Sequence, residues 1–142
     1  MQVKVHHIKG MHFEGESQSK IRTQIDASVT AGGTGIGSSP MEMVLMAIAG
    51  CSGMDVVSIL EKMRVNYQRF EISVRGDRAN EHPRVFTDIE VCYQFWGEGL
   101  EEEQILKKIK RAIDLSMEKY CSVANMIDKV VNLTYRLEIN SK

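Results

Sequence analysis

The chain has almost no net charge, no long apolar run and few cysteines, and each shortage excludes something. Eighteen basic residues against nineteen acidic ones leave a formal net charge of -1 over 142 residues. That balance points neither to nucleic acid nor to an anionic membrane surface. The charge-free apolar stretch from Met43 to Met54 is shorter than the run of about 18 apolar residues expected of a bilayer span. The opening M-Q-V-K-V-H alternates too early to be the apolar core of a secretion signal. A cytosolic protein is therefore expected, with no membrane and no nucleic acid among its partners. Three cysteines, an odd number in a reducing compartment, exclude a fully paired disulfide framework within one chain. There is no C-x-x-C and no H-E-x-x-H. His6 and His7 are adjacent and face opposite sides of a strand, and His12 and His82 are isolated, so no metal site is expected. No G-x-S-x-G elbow is present either. The glycine-rich segment SVTAGGTGIGSS, residues 28 to 39, lacks the G-K-[ST] ending of a phosphate loop and reads as a flexible loop. No cofactor is expected.

What is present fits one domain over residues 1–142, with 43% hydrophobic residues, enough for a real core. Nine methionines serve as adaptable core filler before they suggest a Met-lined ligand site. Val3, Val5 and Ile8, then Met11, Phe13 and Gly15, then Ile21, Thr23 and Ile25, alternate with polar residues. They predict an N-terminal antiparallel meander. A helix is expected from about Pro40 to about Met63. Ser39 is its N-cap, Pro40 takes the first helical position, and Glu42 sits where a capping-box acid reaches back. Its first half is apolar on nearly every side and is expected to be buried all round; Asp55, Glu61, Lys62 and Arg64 bring the second half to the surface. Phe70–Val74 and Val85–Phe95 alternate as a hairpin. A second helix follows, acidic at its start (Glu101 to Glu103) and basic later, with the stripe Ile105, Leu106, Ile109, Ala112, Ile113 and Met117. A short helical piece after Cys121 and a strand over Leu133–Ile139 complete an α+β order.

Two cysteines stand out. Cys51 lies mid-helix among Ala47, Gly50 and Gly53, small neighbours that let a ligand or another backbone come close. Taken alone it reads first as an inert packing thiol. Cys121 falls at a junction between helical pieces, where free backbone N–H groups could stabilise a thiolate, or where it is simply a small junction residue. Cys92 shares a strand face with Asp88, Glu90 and Gln94 and reads as incidental.

The run SSPMEMVLMAIAGCSGMDVVSIL, with EKYCSVANMI about seventy residues later and EHPRVFT between, resembles the OsmC/Ohr family over nearly the whole chain. That family comprises osmotically inducible protein C and the organic hydroperoxide resistance proteins, and the chain is most similar to its less characterised OsmC-like branch. The resemblance implies antiparallel sheets wrapped around two central helices in an intertwined homodimer. It also implies a thiol-dependent hydroperoxide reductase that takes an organic hydroperoxide and is regenerated by a dithiol. Cys51 matches the peroxidatic cysteine and Cys121 the resolving one, a ladder from thiolate to sulfenic acid to disulfide. The family's acid lies ten residues before the first cysteine and pairs with an arginine. Here that offset falls on Met41, while Glu42 lies nine residues before Cys51, about 100° further round the helix. Glu42 is thus a capping acid or a catalytic acid, and Arg22 on the third strand is the candidate arginine. The alternative reading is a non-catalytic binding or redox-sensing module for an apolar small molecule. An acyl-transfer or thioester-hydrolysing enzyme built on Cys51 stands third, with no histidine placed as its base.

Overall fold

The computed structural model describes residues 1–140. Its described residues hold two three-stranded sheets and three α-helices, a mixed α+β architecture, and the chain divides between Val44 and Leu45 into two compact units.

The first unit is the expected meander. Strands β1 (Lys4–Lys9), β2 (His12–Glu16) and β3 (Arg22–Ile25) pair antiparallel in that order. The β1–β2 turn places Gly10 at a φ of +54°, a conformation that costs glycine least. The register sets Val5 beside Gly15 and Phe13 beside both His7 and Ile25 on one face of the sheet. The alternate positions carry Lys4, His6, Glu14, Glu16, Arg22 and Gln24 on the other. Val5 and Ile21 of this unit are exposed.

The segment after β3 is not the flexible loop expected from its glycines. The buried Asp26 carboxylate gathers it, accepting from the Ala27 N–H (2.8 Å), the Thr34 N–H (3.0 Å), the Thr34 hydroxyl (2.6 Å) and the Ile36 N–H (3.3 Å). The Thr34 hydroxyl is the largest of the causes that hold the Asp26 pKa down at about 2. The glycines permit close backbone contact rather than mobility. A Cβ on Gly37 would lie 2.4 Å from the Gln24 carbonyl carbon, and one on Gly33 would lie 2.0 Å from the Ala27 oxygen.

Helix α1 (Pro40–Lys62) begins where the capping pattern predicts and runs across the junction of the two units. It is long and apolar enough to cross a membrane by length and composition alone. Its burial corrects the expectation of an all-round buried helix: only Ile48, Ser52, Val56 and Leu60 are buried, a single stripe at four-residue spacing. Met46 and Met54 stay exposed, Met54 at 76%. One chain has too little material to cover an apolar helix on every side.

In the second unit β4 (Arg69–Arg78) and β5 (Phe86–Trp96) form the expected hairpin. Helix α2 (Glu103–Leu115), a π turn (Ser116–Tyr120) and α3 (Ser122–Ile127) then lead to β6 (Asn132–Asn140). The antiparallel expectation stops at β6, which pairs parallel to β5, as a strand returning through a helical crossover can. Strand β5 is therefore central. Tyr93 and Phe95 on it are fully buried, with the Phe70 ring stacked 4.2 Å from that of Phe95. The α2 stripe buries Ile109, Ala112 and Ile113.

Candidate thiol site

The two singled-out cysteines come together inside the second unit. Cys121 is the N-cap of α3: its Sγ accepts from the Ala124 N–H at 3.3 Å, and its own N–H donates to the Ser116 carbonyl at 2.8 Å across the π turn. The Asn125 side-chain amide donates to the Cys121 carbonyl at 2.9 Å and so steadies the junction. Cys121 is fully buried, whereas Cys51 is half-buried. Burial is the main reason that the Cys121 thiol is pushed up to about 11. The Ala124 N–H works against that shift, and the neighbouring Cys51 thiol and Asp55 carboxylate add to it. At neutral pH the buried thiol is protonated and the accessible one stands beside it. An accessible thiol is the one a solute reaches first.

Around the pair lies a polar network that sequence reading missed. Ser52, Tyr93 and Ser116 are fully buried. The Tyr93 and Ser52 hydroxyls hydrogen-bond, the Ser52 and Ser116 hydroxyls meet at 2.9 Å, and the Ser116 hydroxyl reaches the Asp55 carboxylate at 3.1 Å. An ionised carboxylate only accepts, and each hydroxyl has one proton to give. The arrangement that satisfies every group therefore runs from Tyr93 to Ser52 to Ser116 to Asp55. Tyr93 suits the donor end, because burial pushes its phenol up to about 12. Asp55, read from sequence as a sign of the helix surfacing, is half-buried here and ends the chain. The signal was present in the spacing: Asp55 follows Cys51 by four residues and so shares its helix face.

The other candidate residues lie in the first unit, and each has partners there. Glu42 Oε2 accepts from the Ser39 N–H (2.8 Å) and the Ser39 hydroxyl (2.7 Å), and the Glu42 N–H donates to Ser39 Oγ at 3.3 Å. That is a complete capping box, and the Ser39 hydroxyl is the first cause of the lowered Glu42 pKa. Arg22 forms an ion pair with Glu14 at 3.4 Å; Glu14 also accepts from Gln24, which meets His12 at 2.5 Å. Met41, at the register of the family's acid, is half-buried and carries no charge. Cys92 stands across from Arg136 and beside Glu90 on the polar face, as its alternation predicts, but it is buried because β5 is the central strand. That burial pushes its thiol up. Among the described residues no group of three His, Cys, Asp or Glu is placed to hold a metal.

Comparison with known proteins places the chain in a family. Residues 32–136 match the family described as OsmC-like protein. Protein YhfA of Escherichia coli strain K12 is 43% identical over 140 residues, covering 98% of each chain. A hypothetical protein from Aquifex aeolicus VF5 superposes with a TM-score of 0.83 at 30% identity, over 99% of this chain and 96% of that one. The organic hydroperoxide resistance protein OhrB of Bacillus subtilis shares the fold at a TM-score of 0.61 and 17% identity, over 97% of this chain and 98% of that one. The chain belongs to the OsmC-like protein family.

Proposed function

We propose that the protein is a thiol-dependent hydroperoxide reductase of one OsmC-like domain, cytoplasmic and homodimeric. Cys51 attacks the peroxide and Cys121 resolves the product. The observation that carries the reading is the pairing of an accessible Cys51 with a buried, hydrogen-bonded Cys121 beside it. In the first step the Cys51 thiolate takes the terminal oxygen of ROOH. The O–O bond breaks, sulfur is oxidised to the sulfenic acid, and the alkoxide leaves as ROH once protonated. In the second, the Cys121 thiol attacks the Cys51 sulfenic sulfur, forming the S–S bond and releasing water. A dithiol returns the pair to two thiols. The substrate is an organic hydroperoxide, whose alkyl group suits the apolar, methionine-rich sequence of α1 around Cys51 better than hydrogen peroxide would.

One stoichiometric addition of an organic hydroperoxide to the reduced protein tests this. Intact mass and peptide mapping are expected to show loss of two hydrogens and a Cys51–Cys121 linkage. Cys121→Ser is expected to stop at a trappable sulfenic acid on Cys51. Unchanged thiols after such an addition would overturn the reading.

A second reading draws on Glu42 and Arg22, which are engaged by Ser39 and Glu14. With those two groups held by their own partners, the domain serves as a binding or redox-sensing module for an apolar small molecule. Slow oxidation without turnover would favour it.

A further inference from the structure

Ser116 is tied to both thiol-bearing segments at once. Its backbone carbonyl accepts from the Cys121 N–H at 2.8 Å. Its hydroxyl meets the Ser52 hydroxyl at 2.9 Å, the Ser52 carbonyl at 3.3 Å and the Asp55 carboxylate at 3.1 Å. Ser52 follows Cys51 directly, and Asp55 lies one helical turn beyond it. The turn that Ser116 opens is a π turn, Ser116–Tyr120, a rare form that recurs at functional sites. Its wider loop ends α2 and delivers Cys121 as the N-cap of α3 instead of as another residue on the α2 stripe. Three buried hydroxyls would be costly to place here for packing alone, since each needs a partner. They are all satisfied, and the network they form joins the Cys51 turn of α1 to the turn that carries Cys121.

We propose that Ser116, braced by the Asp55 carboxylate, is the positioning residue of the thiol pair: it sets the approach of the Cys121 sulfur to the Cys51 sulfur and so the rate at which their disulfide closes. The inference rests on the reading of Cys51 and Cys121 as a redox pair, though not on the identity of the oxidant. Ser116 touches no reacting atom. It acts through the backbone of Cys121 and through Ser52.

The test uses an aromatic disulfide, 5,5′-dithiobis(2-nitrobenzoate), with the full chain in a Cys92→Ser background. In the first phase the Cys51 thiolate attacks the reagent, forms a mixed disulfide and releases one thionitrobenzoate. In the second, Cys121 gives up its proton to solvent and attacks the Cys51 sulfur. The internal disulfide forms, the mixed one breaks, and a second thionitrobenzoate leaves in its reduced form. Each phase is followed by absorbance from pH 6 to pH 9.

Ser116→Ala is expected to leave the first phase unchanged and to slow the second by about tenfold or more, since small misplacements of reacting groups cost rates of that order. The titratable neighbours of the Cys121 thiol are Cys51 and Asp55 from α1 and Tyr93 from β5. The substitution removes none of them, so the slowed phase is expected to keep the wild-type pH dependence. Asp55→Asn retains an acceptor for the Ser116 hydroxyl and is expected to close faster than Asp55→Ala. Should Ser116→Ala fail to fold, Asp55→Ala carries the same prediction for the two rates, judged against Asp55→Asn, which removes the same charge from beside Cys121. A second phase as fast as wild type, or two phases slowed equally, would overturn the positioning role. Closure with this reagent but inertness toward hydroperoxides would overturn the peroxidase reading alone; a wild-type chain that never closes would overturn both.

Discussion

At the scale of single residues, three carboxylates of one chain do three different things. Asp26 organises a loop. Its pKa, held at about 2 against an ordinary 3.8, means that its contribution to stability is complete above about pH 4 and is lost as the pH falls toward 2. Asp26→Asn is expected to speed amide hydrogen exchange at Ala27, Thr34 and Ile36 at neutral pH. The gap from wild type should narrow on acidification; equal exchange at pH 7 would remove Asp26 as the organiser. Glu42 caps α1. Its lowered pKa predicts that the stability difference between wild type and Glu42→Gln, measured by denaturant titration, shrinks as the pH falls below 4.5. Thiol reactivity should not change, and a slowed peroxide reaction in that variant would return Glu42 to the catalytic role. Ser39→Ala should cost about 1 kcal/mol, the usual value of an N-cap. The cap was legible in S-P-x-E because capping is local. Asp26 was not, because its partners lie up to ten residues ahead, in a stretch whose glycines suggest freedom. The third carboxylate, Asp55, was misjudged because charge on a helix ordinarily marks the solvent side. The hydroxyl that it accepts from lies 61 residues away.

At the scale of elements, hydrophobic period predicted the strands and α2, and the capping pattern predicted α1, since both signals are local in the sequence. The strand order of the second sheet was not legible. Nothing in Leu133–Ile139 says that it joins β5 in parallel; that follows from where the α2–α3 crossover ends. The π turn was equally hidden, because SMEKY has no composition that distinguishes it from a helix end. The buried stripe of α1 gives a direct test of element packing. Ile48→Ala, at a position with no exposed surface, should cost about 2–5 kcal/mol. Met54→Ala, on the exposed side of the same helix, should cost far less in a monomer and more in an assembly that covers it. Denaturation of both variants over a range of protein concentrations separates the two cases.

At the scale of the whole molecule, exposed apolar surface is the governing feature. Met46 and Met54 on α1, with Ala49, Gly50, Gly53 and Val57 along an open groove, leave an apolar face that water should not meet. Sedimentation at micromolar concentration is expected to find a homodimer that buries about 2,000 Å² or more, the size of an obligate interface. A stable monomer would contradict it. The family was legible because its motif sits in two short runs, one around Cys51 and one around Cys121, each contiguous in sequence. The family's acid could not be read in the same way, because Met41 stands at its register. The central claim, that Cys51 reduces hydroperoxides and Cys121 completes the cycle, is tested most directly by steady-state consumption of an organic hydroperoxide with a dithiol supplied. Wild type, Cys51→Ser and Glu42→Gln would be assayed side by side. The account predicts turnover in wild type and in Glu42→Gln, and none above background in Cys51→Ser; equal consumption by wild type and Cys51→Ser would contradict it.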